Sequence, residues 1–242
     1  MPGFRLYGRK QMVVAAFLIG GLGAAQARAQ QFDQAAVIQK VDAAVKARLD
    51  GIEGYNVTEH YAVYRNKDES HPVAEMMVNT TYRRDTGKEY TIVSQSGSEI
   101  IRSMVLGTIL DHEKQINQPG TREGSWFTSA NYEMQLKSGG IQQVDGRDCL
   151  ALAISPKRKA PNLIQGTMWV DAADGSIVQV QGVASKSPSV FTGPAQMMRQ
   201  YTKVNGFSQA THARAVSNSL LFGETVVKID YTDYKIQLRP PA

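Results

Sequence analysis

Asn205-Gly206 lies between two segments of alternating polarity, 197–204 and 207–218. An Asn-Gly pair accepts positive φ at both central positions of a tight turn, so the flanking segments must run back on each other as an antiparallel hairpin. The same signal recurs along the chain. Val144-Asp145-Gly146-Arg147 turns into 148–155, where Leu150, Leu152 and Ile154 share one face. Asp85-Thr86-Gly87, Ala172-Ala173-Asp174-Gly175 and Phe222-Gly223-Glu224 are further turn signals. Short connections between alternating segments make antiparallel neighbours. Strands are expected at 55–64, 73–83, 88–94, 131–137, 148–155, 166–171, 177–184, 197–204, 207–218 and 225–237, nine or ten in all. The fold class is mostly β, a single antiparallel curved sheet.

Two segments break the alternation. Ile38, Val41, Val45, Leu49 and Ile52 recur at helical spacing behind Asp33, a residue suited to cap a helix N-terminus, and Gly51 and Gly54 end the run. Further on, Ile100, Ile101, Met104, Val105, Thr108 and Ile109 form one broad apolar face. Ser96 and Glu99 precede that face at capping-box spacing, and Asp111-His112-Glu113-Lys114 reads as its polar end. Pro119-Gly120 breaks the chain, and residues 121–128 read as a loop.

The N-terminus sets the expected compartment. Arg5, Arg9 and Lys10 precede an apolar stretch from Met12 to about Ala25, and Ala27-Arg28-Ala29 follows. A basic start, a short apolar core and a small-x-small site make a secretory signal peptide, so residues 1–29 are expected to be removed and 30–242 to form one periplasmic domain. Gln30 rather than Cys follows the cut, which argues against a lipid-modified start. Of the 27 Lys+Arg, four lie in residues 1–29, which contain no acidic residue; the remainder is nearly balanced by 22 Asp+Glu. No electrostatic case for nucleic acid survives. Cys149, the one cysteine, forms no internal disulfide and sits among apolar neighbours as a small hydrophobe.

Catalytic and metal-binding patterns are missing from the sequence. It has no Gly-x-Ser-x-Gly, no His-Glu-x-x-His, no cysteine pair and no phosphate-cradling glycine loop. His60, His71, His112 and His212 stand at no ligand spacing from one another. The chain reads as a non-enzyme without cofactor or metal. Methionines at positions 76, 77, 104, 134, 168, 197 and 198 supply adaptable apolar surface instead. A helix laid over a curved sheet that does not close leaves an apolar cavity with few polar groups, a place for a hydrophobic ligand.

The second half carries a resemblance. Val144-Asp145-Gly146-Arg147 with Ile154-Ser155-Pro156-Lys157, Gly166-Thr167-Met168-Trp169-Val170-Asp171, Gln200-Tyr201, Asn205-Gly206-Phe207, Phe222-Gly223 and Ile229-Asp230-Tyr231 resemble the outer-membrane lipoprotein-sorting family (LolA/LolB-like), over residues 32–238. The resemblance implies an open, incomplete β-barrel with helices as a lid and a cavity for acyl chains. It implies a periplasmic carrier or chaperone, expected as a monomer, whose partners are lipidated proteins or free lipid and envelope transport machinery. The alternative is an envelope-stress sensor or interaction module of RseB type. Ile100, Ile101, Met104, Val105 and Ile109 would form the lid face, with Trp126, Phe127 and Trp169 in the cavity. Arg83 and Arg102 are the candidates for the family's cavity arginine.

Overall fold

The structure, a computed structural model, describes residues 32–187, 194–219 and 223–240. The signal peptide read from residues 1–29 and part of the Phe222-Gly223 turn lie outside them.

Helix α1 (Gln34–Gly51) starts where the Asp33 carboxylate accepts a hydrogen bond from the Ala35 N–H at 3.0 Å. It runs directly into strand β1 (Ile52–Arg65), so Gly54 lies inside the strand and not at the end of the helix. Strands β2 (Ala74–Arg83) and β3 (Gly87–Gly97) follow as hairpins. Three helical segments then run on without interruption, Glu99–Ile101, Arg102–Gly107 and Thr108–Ile116, here together helix α2. Its cap is Ser98, whose hydroxyl accepts from the Ile101 N–H, rather than Ser96. A 3₁₀ turn at Arg122–Ser125 leads to β4 (Tyr132–Leu136). The remaining strands are β5 (Gln142–Val144), β6 (Arg147–Pro156), β7 (Ile164–Asp171), β8 (Ile177–Ala184), β9 (Gln196–Val204), β10 (Phe207–Ser219) and β11 (Gly223–Leu238).

These eleven strands form one antiparallel sheet in the order β3-β2-β1-β11-β10-β9-β8-β7-β6-β4, with β5 paired to β6. The first and last strands join in the middle, Tyr61 opposite Ile229 and Val63 opposite Val227. β3 and β4 end the order, so the sheet is an open, incomplete barrel. The turns have the backbone expected of them: Asn205 and Gly206 have φ of 51° and 84°, and Asp145 and Gly146 51° and 70°. Register shifts at Met77/Val78, Trp169/Val170 and Ala210/His212 bend the strands, which deepens the concave face.

The two helices divide that face between them. Val37 and Val41 of α1 pack on Met134, Leu152, Met168 and Val180. Ile101, Leu106 and Leu110 of α2 pack on Tyr61, Val78 and Val227. Leu106, Leu152, Met168, Val41 and Val78 are all fully buried. α2 lies on the path of the chain from one free edge, β3, to the other, β4.

The buried face of α2 differs from the expected one. Ile101 and Leu106 are five positions apart, a step that a regular α-helix would not place on one face. The segment Arg102–Gly107 has π geometry, with a wider turn that absorbs one extra residue and brings both onto the sheet. Ile100 and Met104 consequently face outward, 64% and 52% exposed.

Candidate functional site

Between the two helices the concave face is uncovered from within, and a cavity of about 850 Å³ remains. Small side chains account for much of the space. α1 faces it with Ala43, Ala44 and Ala47, and β10 with Ala210, Ala213 and Ala215. Larger apolar groups wall the rest: Ile109 and Ile116 from α2, Ile164 from β7, Met197 from β9, and Val227 and Ile229 from β11.

The 3₁₀ turn brings Trp126 and Phe127 to the cavity wall. It is tied down at Arg122, whose Nη1 donates to the Tyr82 hydroxyl at 3.1 Å and to the Arg84 carbonyl at 2.6 Å. Asn131 Nδ2 donates to the carbonyls of Glu123 and Trp126, at 2.8 and 3.0 Å. Phe127 packs against Tyr132, ring centroids 5.2 Å apart. A loop so anchored holds its two aromatic rings in place at low entropic cost.

The cavity also holds charge, contrary to the expectation of an apolar hollow with few polar groups. Glu113 of α2 places Oε2 3.2 Å from Lys88 Nζ on β3 and Oε1 3.8 Å from Arg199 Nη2 on β9. Glu59 of β1 lies 3.8 Å from the same Lys88 and accepts a hydrogen bond from the buried Tyr61 hydroxyl. Burial pushes the Glu113 carboxyl up, but Lys88 and Arg199 outweigh it and hold the group at about 2. Burial works against the Lys88 ammonium too, yet Glu113 and Glu59 keep its pKa well above the ordinary lysine value. Glu113 is therefore not part of a solvated helix end. The Asp111-His112-Glu113-Lys114 run is polar in sequence, but His112 and Glu113 line the cavity while Lys114 pairs outward with Glu89 at 2.6 Å.

At the α1 side, Arg48 donates from Nη2 to Gln209 Oε1 and from Nε to the Ser208 carbonyl, both at 3.1 Å. Gln209 is 1% exposed, and its Nε2 has no hydrogen-bond partner among the described residues.

The sequence-predicted site residues are distributed as follows. Ile109, Trp126 and Phe127 border the cavity. Ile101 is buried in the core under α2, with Val105 packed against that core. Ile100 and Met104 are exposed. Trp169 alternates with the buried Met168 and Val170, so it points to the other face of the sheet, where its indole N–H donates to Gln142 Oε1 at 2.9 Å. Neither Arg83 nor Arg102 is among the cavity-lining residues; the arginines there include Arg48, Arg122 and Arg199. The described residues contain no group of three or more His, Cys, Asp or Glu that could hold a metal ion. Cys149 is buried, and burial raises its thiol pKa.

Fold and site together define an open, single-sheet half-barrel whose helices enclose an internal cavity. No family model matches the sequence, and no curated protein matches it. Among solved structures, the chain is similar to a LolA superfamily protein from Nitrosomonas europaea, at 11% identity over 87% of this chain and 96% of that one, with a TM-score of 0.46. It is similar to a putative outer membrane lipoprotein-sorting protein domain from Vibrio parahaemolyticus, at 14% identity over 84% and 91%, with a TM-score of 0.45. A DUF1329 family protein from Desulfovibrio piger is similar at 15% identity over 83% and 93%, with a TM-score of 0.42.

Proposed function

We propose that this chain is an exported carrier that shelters an acyl chain of a lipid or lipidated protein inside its half-barrel, in the periplasm. The observation that carries the reading is the cavity of about 850 Å³ between α1 and α2, a size in the range of ligand pockets. Its walls are apolar for most of their extent, as the alanines of α1 and β10 and the isoleucines of α2 illustrate. Each methylene transferred from water contributes about 0.8 kcal/mol, so a hydrocarbon tail is held without specific contacts. The basic start, apolar run and Ala27-Arg28-Ala29 of residues 1–29 support export. Among the described residues, no helix is long and apolar enough to cross a membrane.

Expression of the full chain, recovery from the periplasmic fraction and mass spectrometry under native conditions test this reading. The expected result is a chain starting at Gln30 with a co-purifying lipid or lipopeptide. Retention in the cytoplasm would overturn the export, and recovery free of any acyl-bearing species after incubation with envelope lipid would overturn the carrier role.

A further inference from the structure

One of the cations around the cavity has no carboxylate partner. Lys88, Glu59, Glu113 and Arg199 balance as two cations and two anions. Arg122 pairs with Glu123, Arg214 shares Glu69 with Lys228, and Asp174 pairs with Lys203. Arg48 has no carboxylate partner; its hydrogen bonds go to a carbonyl and an amide oxygen. Every Asp and Glu of the chain lies among the described residues, so no other acidic side chain remains to supply one. Arg48 is thus a lining cation that no carboxylate faces, and its guanidinium is half-buried.

The neighbour of that guanidinium points the same way. Arg48 holds Gln209 by its oxygen, which fixes the amide so that its NH₂ is the end left over. That NH₂ has no acceptor in a side chain that is 1% exposed. A buried donor left unmatched is destabilising, and Arg48 and Gln209 both line the cavity, so an oxygen ligand that reached the pair would satisfy it. Arginine presents its donors in a planar fork suited to a carboxylate or a phosphate.

We propose that the cavity takes an amphiphile with a single anionic head, a carboxylate or phosphate monoester, bound at Arg48 and Gln209 while its tail lies along the apolar wall. This rests on the acyl-carrier reading and names the ligand class of the same cavity. Arg48 is then a specificity-determining residue: it selects an anionic head over a neutral ester on the same tail.

The test is displacement of the neutral probe N-phenyl-1-naphthylamine from the protein by four ligands with one alkyl length: myristate, tetradecyl phosphate, methyl myristate and tetradecyltrimethylammonium. Both anions are expected to compete about tenfold better than the ester, the scale of one charge-assisted hydrogen bond, and the cation worst. Arg48→Met should bring the anions to the value of the ester. The rank of myristate against the phosphate identifies which head the site prefers. An ester that competes as well as the anions, or a preference that survives Arg48→Met, would overturn the proposal. Should Arg48→Met not fold, the ranking on the unaltered chain still decides, since the anion preference must also shrink as salt is raised. If neither the probe nor any of the four ligands binds, it is the acyl-carrier reading that fails.

Discussion

Lys88 Nζ lies 3.2 Å from Glu113 Oε2, so an edge strand of the half-barrel is bonded to the helix that covers it. Both side chains are mostly withdrawn from solvent, 11% and 22% exposed. Removal of one partner strands the other in a poorly hydrated site. Glu113→Ala is expected to cost about 2 kcal/mol, a value below that for fully buried pairs because Glu113 retains some access. The double variant Lys88→Met/Glu113→Met should not recover that loss in full, because it leaves the buried Glu59 and the partly buried Arg199 without their ion-pair partners. Urea unfolding of the parent and the two variants measures it; a Glu113→Ala midpoint equal to the parent's would show that the pair contributes nothing.

The same carboxylate sets the acid limit. Glu113 is held at about 2 against an ordinary value of 4.5, and Glu69, through hydrogen bonds from Arg214 and Lys228, is likewise held at about 2. A carboxyl with a folded pKa below its unfolded one favours the fold when ionised. Its contribution is complete above pH 4.5 and is lost as pH falls toward 2. Stability should therefore decline across that interval, and Glu113→Gln with Glu69→Gln should flatten the decline. Denaturation midpoints between pH 5 and 2 read this directly, at roughly half-unit steps.

Ala44 faces the cavity from α1 and is only partly buried, so a larger side chain there has room to enter. Ala44→Phe should weaken capture of N-phenyl-1-naphthylamine by about tenfold without lowering the melting temperature, because filling a void adds contacts while it removes ligand space. Loss of fold instead of loss of binding would mean that the space is not available.

Gly166 of β7 sits opposite Gly182 of β8. A Cβ at Gly166 would run into the Gln181 backbone, and one at Gly182 into that of Gln165. The pair lets two strands approach at a place where no side chain fits. Gly182→Ala is expected to destabilise by about 2 kcal/mol, in line with overpacking, and thermal unfolding reports it.

The half-barrel was legible because its signals are local. Asn205-Gly206 and Asp145-Gly146 demand positive φ whatever surrounds them, and alternation in β6 places Leu150, Leu152 and Ile154 on one side without reference to the rest of the chain. The helix face of α2 was half legible, since a π segment shifts the phase and periodicity assumes a constant one. The charged lining was not legible at all. Glu59, Lys88, Glu113 and Arg199 come from β1, β3, α2 and β9, and only the sheet order brings them together. Glu113, within Asp-His-Glu-Lys, carries no local mark to separate it from a solvated helix end. Arg48 is similar: it reads as the polar side of α1 and becomes distinctive only once every carboxylate has been assigned elsewhere.

The chain has two tryptophans, and the sheet separates them: Trp126 borders the cavity and Trp169 lies on the opposite face. Quenching by a bromine-labelled acyl chain, measured on Trp126→Phe and Trp169→Phe, therefore asks directly whether a hydrocarbon tail enters the half-barrel. The account predicts saturable quenching in Trp169→Phe, where Trp126 alone reports, and none above the free-quencher background in Trp126→Phe. Equal quenching of both, or quenching confined to Trp169, would place the ligand outside the cavity and contradict it.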